Sequence, residues 1–279
     1  MTRSSCRAAA LALLAVLCAA GWPAVAVAAP APNPVSVTAS FDRGATLGGA
    51  TPLDVTLRLD PSRLTRAPLT HVTLAYPQDL GLVSSGLGLA SCTRPASDFA
   101  QVLISGPRLG GCPPNAVMGY GDAVAIVRLV NGGQVIPEYA AVTLLAGPIE
   151  HGRLGLVVYV DGQRPFGAKL AFEGDVGDAP APYGGALTVQ MPVVPGLQDL
   201  ATVSLVELRI VIGSRAIRYY ERRHGRTVSY YPGGIDLPAR CPRGGFRFRA
   251  EVGFADGSRR SAGTATPCPR ALAVRTGSR

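Results

Sequence analysis

Arginine and tyrosine side chains cluster in one short stretch, which is the strongest indication of a ligand-binding site in the sequence. Residues 219–231 read YYERRHGRTVSYY. Arginine binds phosphates and carboxylates through two parallel hydrogen bonds, and tyrosine rings stack on sugars or bases. With His224-Gly225 as the turn, the pattern predicts a hairpin. The residues expected to bind a ligand are Tyr219, Arg222, Arg223, Arg226 and Tyr231, assisted by Arg247 and Arg249 if their strand face lies alongside.

The charge of the chain is divided unequally between its two parts. Residues 29–200 carry ten basic and thirteen acidic side chains, whereas residues 201–279 carry fifteen arginines against five acids. For an exported protein, this balance favours an anionic cell-wall polymer or membrane surface as partner, and the compartment argues against nucleic acid. One alternative is that arginine-rich coding filled the solvent faces of ordinary strands. Another is a structural or protein-interaction module that binds an envelope protein at an exposed sheet edge.

Catalytic motifs with a defined mechanism are missing from the sequence. A serine hydrolase often carries a G-x-S-x-G turn, which is absent, and the three histidines (His71, His151 and His224) are expected at the surface. A glycosidase needs two carboxylates across a cleft, for which the candidates are Asp122, Glu138, Asp161 and Glu173. We therefore expect a non-enzymatic protein, with a secreted hydrolase as the alternative. The sequence leaves the oligomeric state open.

Four cysteines remain after a removable N-terminus, namely Cys92, Cys112, Cys241 and Cys268. Four cysteines allow three pairings. We favour Cys92–Cys112 and Cys241–Cys268, because each pair closes a local loop of about 20 to 27 residues, worth roughly 3 kcal/mol on the chain-entropy account. The protein is therefore expected to be cross-linked by two disulfides, which form and persist in the oxidising compartments that exported proteins enter.

Metal binding is the competing interpretation of these cysteines. Zinc sites usually show a C-x-x-C pair or a nearby histidine, and this chain has neither beside its cysteines. The acids Glu173, Asp175 and Asp178 are close enough in sequence for a calcium loop, but we interpret them as a solvated loop. We expect no metal and no cofactor.

The N-terminal segment is predicted to be a secretory signal peptide of residues 1–28. It begins with two arginines and no acid, continues with the apolar run Ala8–Ala20, and offers Ala26-Val27-Ala28 as the cleavage site. Such a run is too short for a spanning helix. A lipoprotein anchor at Cys18 is the alternative, but Leu17 is bulky where that signal needs a small residue. We expect a secreted protein that is cut after Ala28.

Apolar and polar residues alternate along most of the chain, which predicts an all-β fold. Val55, Leu57 and Leu59 alternate with polar neighbours, and Phe246, Phe248, Ala250, Val252 and Phe254 share one face of a strand before an Asp256-Gly257 turn. This period is typical of antiparallel sheets with one face on a core. We expect an antiparallel β-sandwich, either one large sandwich or two packed ones. The second reading divides the chain into regions 29–148 and 149–270, followed by a tail of residues 271–279.

Several motifs resemble those of a family of secreted actinobacterial β-rich proteins. They are GLGLASC at residues 86–92, GGCPPNAVMGYGDAV at 110–124, the stretch from YYERRHGRT to CPRGGFRF and onward at 219–258, and TPCP at 266–269. The resemblance covers most of the chain after the signal peptide. It implies secretion, disulfides and a β-rich fold, and it supplies no activity and no catalytic residues.

Overall fold

The computed structural model describes residues 33–93, 111–129, 133–165, 167, 169–191 and 201–271. The predicted signal peptide and residues 272–279 of the predicted tail lie outside these ranges. The all-β prediction is confirmed, with one 3₁₀ turn at Pro114–Ala116. The strands are β1 (Val35–Phe41), β2 (Thr46–Leu47), β3 (Ala50–Thr51), β4 (Leu53–Leu59), β5 (Leu69–Pro77), β6 (Val117–Leu129), β7 (Val135–Glu150), β8 (Arg153–Arg164), β9 (Lys169–Asp178), β10 (Tyr183–Gln190), β11 (Ala201–Ile212), β12 (Tyr219–Arg223), β13 (Arg226–Tyr230), β14 (Ile235–Asp236), β15 (Phe246–Phe254), β16 (Arg259–Thr266) and β17 (Arg270–Ala271).

Eleven of these strands form one antiparallel sheet in the order β1-β4-β11-β6-β7-β8-β9-β10-β5-β15-β16. The two edge strands, β1 and β16, lie against each other. The Asn33 side-chain amide donates to the Ser261 carbonyl at 2.9 Å, and the Thr266 hydroxyl donates to the Ala39 carbonyl at 2.6 Å. The sheet therefore curls until its two edges meet, and one of its faces becomes an interior.

The alternating apolar residues line that interior because antiparallel pairing places them opposite one another. Leu57 of β4 faces Val37 of β1 on one side and Leu208 of β11 on the other. The burial of β4 alternates along its length in the same way. Side chains that are directly opposite in a sheet share a face, so the period-two pattern of each strand adds to one continuous apolar wall.

The position proposed as a domain boundary lies within a strand. Residues 148 and 149 belong to β7, which runs without interruption from Val135 to Glu150. Strands from before and after this position alternate in the main sheet, since β5 pairs with both β10 and β15. The residues that the structure describes, from Asn33 onward, form one compact unit.

Two local predictions about covalent and hairpin structure are confirmed. Cys92 pairs with Cys112 and Cys241 with Cys268, with Cα atoms 5.0 Å and 5.9 Å apart, respectively. Strands β15 and β16 form the expected hairpin, whose turn contains Gly257 at φ 80°. All five predicted apolar residues of β15 are buried. Disulfides of this kind fit an extracellular protein.

Large side chains fill one end of the curled sheet, which we call the closed end. Phe246 packs edge to face on Phe41, with ring centroids 4.9 Å apart. Phe41 is opposite Leu53, and Leu53 is opposite Ile212, so these strand ends meet at the same place. The fully buried residues with the largest side chains include Tyr219, Phe246, Phe248, Met118, Ile217 and Ile235.

Candidate functional site

The interior of the curled sheet contains a cavity of about 330 Å³, which we call the lumen. Ten of the eleven strands contribute side chains to its wall, and nearly all of these are aliphatic. Apolar pockets of about 300 to 1,000 Å³ are the usual size for small-molecule sites. Native interiors otherwise contain few voids larger than a water molecule, so the lumen is a feature of this fold that needs a reason.

Small residues on three neighbouring strands create much of this space. Ala123 of β6 is opposite Ala140 of β7, which is in turn opposite Gly162 of β8. All three line the lumen. Leucine or phenylalanine at these positions would project into the cavity and fill it. The sequence therefore keeps the lumen open by placing its smallest side chains side by side.

The lumen opens at the end of the sheet opposite the closed end, and we call this opening the mouth. Two aliphatic wall residues there are well exposed, Leu170 by 41% and Val203 by 47%. Among the described wall residues, the polar ones are Arg66, Glu138 and Thr202, and they also lie at this end. An apolar molecule entering at the mouth would pass a few polar groups and then meet only hydrocarbon.

Basic side chains lie around the mouth. The exposed Arg66 makes no ion pair or hydrogen bond with another described residue. Arg128, Arg164 and Lys169 lie on the strand ends that surround the opening, by the register of β6, β7, β8 and β9. Among the described residues, the acids at this end are Glu138, on the wall, and Asp161, opposite Lys169. Two more lie beside the loop of Arg66: Asp60, which follows β4, and Asp256, which accepts a hydrogen bond from Thr65.

The Arg/Tyr hairpin predicted from the sequence is present. Strands β12 and β13 pair antiparallel, and the turn residues His224 and Gly225 have φ of 49° and 79°. Positive φ at both central positions is the geometry of a type I′ turn. The hairpin is a separate two-stranded sheet, outside the eleven-stranded one.

Tyr219 is fully buried and anchors this hairpin instead of facing solvent. Its hydroxyl donates to the Val117 carbonyl at 2.7 Å and accepts from the Gly88 amide at 2.6 Å. Burial is the main cause that raises the pKa of this hydroxyl, so it stays protonated. The Tyr231 hydroxyl likewise donates to the Gly213 carbonyl, at 2.7 Å. Both hydroxyls therefore attach the hairpin to backbone carbonyls near the closed end of the main sheet.

The three hairpin arginines are exposed, and two of them, Arg223 and Arg226, share one face of the hairpin. Arg223 forms an ion pair with Glu221 on its own strand, and it is directly opposite Arg226 across the hairpin. Like charges in this position repel each other. The arginines expected to assist, Arg247 and Arg249, lie on β15 of the main sheet, and Arg249 donates to the Ser261 hydroxyl at 3.0 Å. The structure therefore places Arg223 and Arg226 side by side and Arg222 on the other face of the same hairpin. Arg247 and Arg249 lie on a different sheet.

The acids considered for catalysis are divided between the two faces of the sheet. Asp122 and Asp161 are both opposite Ala141, which places them on the outer face, whereas Glu138 lines the lumen. Asp175 forms an ion pair with Arg153 at 2.5 Å. Among the residues that the structure describes, no group of three or more His, Cys, Asp or Glu side chains could hold a metal ion.

The histidines lie apart from one another along the chain's turns and strands. His71 is half-buried on β5 with Nδ1 3.3 Å from the Thr70 hydroxyl, and His151 and His224 occupy turn positions with positive φ.

Within the described part of the chain, no helix is long and apolar enough to cross a membrane. Comparisons with family models, curated proteins and solved structures each give no match.

Proposed function

We propose that this protein is an exported, non-enzymatic binding protein that carries an apolar ligand in its lumen. The observation that carries the proposal is the aliphatic cavity of about 330 Å³ that reaches the surface at the mouth. Apolar surface gains about 25 cal/mol per Å² when it leaves water. A ligand that covers the lumen wall therefore gains affinity without any specific polar contact.

The size of the lumen supports a ligand on energetic grounds. Cavities left in protein cores cost about 24 cal/mol per Å³, so a dry, empty lumen of about 330 Å³ would cost on the order of 8 kcal/mol. Whole domains are stable by only about 5 to 15 kcal/mol. Water relieves little of this cost, because a buried water needs two to four polar partners and the wall offers few away from the mouth.

Export and the detailed architecture belong to the same proposal. Disulfides are typical of oxidising compartments outside the cytoplasm, and residues 1–28 fit a signal peptide cleaved after Ala28.

The predicted sandwich is supported by an interior lined from both sides by alternating residues. In that reading, the lumen is the space between two layers of one continuous sheet.

The test is to close the lumen from within. Ala140→Phe places a ring in the cavity, and Ala141→Phe places the same ring on the outer face of the same strand as the matched control. We expect dodecanol to bind the wild type and the control, and to lose most of its affinity for Ala140→Phe in calorimetry. Equal binding to all three proteins, or to none, would overturn the proposal. Mass spectrometry of the protein purified from the culture medium of the cells that secrete it would identify the ligand that co-purifies.

Association with anionic cell-envelope polymers through the hairpin is a second candidate function. It is favoured by the direct cross-strand pair of Arg223 and Arg226, because an anion between two like charges would relieve their repulsion. The test is co-sedimentation with cell walls and with anionic liposomes over a salt series. Binding should weaken with salt and be lost in the double variant Arg223→Glu plus Arg226→Glu. Arg240→Glu plus Arg243→Glu makes the same change of charge elsewhere and should bind normally.

A further inference from the structure

We infer that the ligand of the lumen is a single-chain amphiphile with an anionic head group, and that Arg66 binds this head group at the mouth. The inference rests on the proposed function and adds to it the chemistry and the orientation of the ligand. It depends on three features of the wall: its length, the location of its polar residues, and the charge around its opening.

The lumen is long in the strand direction. On β7, wall residues extend from Glu138 at the mouth to Leu144 in the interior. Strands rise about 3.4 Å per residue, so these six steps cover about 20 Å. A space of this length that is lined by Val142, Leu144 and similar aliphatic side chains fits an extended hydrocarbon chain better than a compact molecule.

The polar residues of the wall define which end of the ligand is polar. Arg66, Glu138 and Thr202 lie at the mouth, and the other wall side chains that the structure describes are apolar. A polar group placed deep in the lumen would lose its hydration without a partner and cost several kcal/mol. The ligand therefore enters with its chain first and keeps its head at the mouth.

The charge at the mouth decides the sign of the head group. Arg66 lines the opening and has no ion-pair partner among the described side chains. Its planar guanidinium matches a carboxylate or a phosphate through two hydrogen bonds. Arg128, Arg164 and Lys169 add positive potential on the surrounding strand ends. Glu138 opposes an anion, so the head group is expected on the Arg66 side of the opening.

The experiment compares three probes that share one chain: dodecanol, dodecanoate and dodecyl phosphate, each below its micelle concentration. With the intact oxidised protein, we expect the two anions to bind more tightly than dodecanol. Arg66→Gln should weaken the anions about tenfold or more, as expected for a charge-assisted hydrogen bond, and weaken dodecanol much less, because its head group is uncharged. Arg63→Gln removes an exposed arginine of the same loop that does not line the lumen, and it is the matched control.

Two further measurements make the result decisive. Glu138→Gln should raise the affinity of both anions relative to that of dodecanol, and added salt should lower the affinity of the anions relative to that of dodecanol. The inference is overturned if dodecanol binds as tightly as both anions, or if Arg66→Gln binds all three probes like the wild type. If none of the probes binds, including dodecanol, the proposed function itself fails. The difference between dodecanoate and dodecyl phosphate shows which anion the mouth prefers.

Discussion

Ala140→Leu is predicted to make the ligand-free protein more stable, which is unusual for a core substitution. Ala140 faces the lumen between Ala123 and Gly162, so a leucine there extends into empty space. The change adds three carbon atoms, each worth about 0.8 kcal/mol when buried, so the free energy of unfolding should rise by about 2 kcal/mol. In a filled core, the same enlargement would cost about 1 to 3 kcal/mol through overpacking.

The assay is urea unfolding of delipidated protein, followed by tyrosine fluorescence, for the wild type, Ala140→Leu and Ala141→Leu. The control residue Ala141 lies on the outer face opposite Asp122 and Asp161, and its substitution should change the free energy of unfolding little. A ligand that binds only the folded state stabilises it more when its affinity is higher. The leucine occupies part of the lumen and lowers the affinity for dodecanol, so dodecanol should stabilise the wild type more than Ala140→Leu. A loss of stability in Ala140→Leu would show that the lumen is already filled by the protein, and would refute the reasoning.

Two other predictions concern stability. Tyr219→Phe leaves the Val117 carbonyl and the Gly88 amide without their shared partner, so the free energy of unfolding in urea should fall by about 2 to 4 kcal/mol. The control Tyr220→Phe changes a side chain that is 47% exposed and should lower it by almost nothing. Equal effects of the two substitutions would contradict the anchoring role of Tyr219. Hydrogen bonds from Thr65 and Ser258 lower the pKa of Asp256 from 3.8 to about 2. The folded pKa is the lower one, so this carboxylate stabilises the fold above about pH 4 and ceases to do so as the pH falls towards 2. The melting-temperature difference between the wild type and Asp256→Asn should shrink over that window, and a constant difference would count against it.

Local patterns in the sequence were sufficient to predict the strands, two hairpins and the disulfides. The alternation of Phe246, Phe248 and Ala250 and the turn at Gly257 depend only on neighbouring residues, and they appear as expected. Strand order depends on contacts between distant segments. No local pattern indicates that β5 pairs with β15, or that β1 meets β16. For this reason the sequence left open whether the chain forms one unit or two.

The lumen was not predicted because alternation shows which side chains face inward but not how far apart the opposing walls lie. The signal available was the size of those side chains. Ala123 and Ala140 occupy inward positions where other strands carry valine or leucine, and they could have been recognised only with the strand order known. Tyr219 shows a second limitation. The arginines and tyrosines around it in the sequence indicated a ligand-binding residue, whereas the structure buries its side chain, which anchors the hairpin.

The two proposed sites lie at opposite ends of the sheet, and this makes their independence testable. The hairpin is attached through Tyr219 to Val117 and Gly88 at the closed end, whereas Arg66 and Glu138 mark the mouth. Coupling between two sites requires that each ligand change the other's binding state, and it is reciprocal. Among the described residues, none belongs to both the hairpin and the lumen wall. Protein saturated with dodecanol should therefore bind cell walls with the same affinity as ligand-free protein in co-sedimentation. A change of more than about fivefold, the lower end of typical allosteric coupling, would show instead that filling the lumen moves the hairpin.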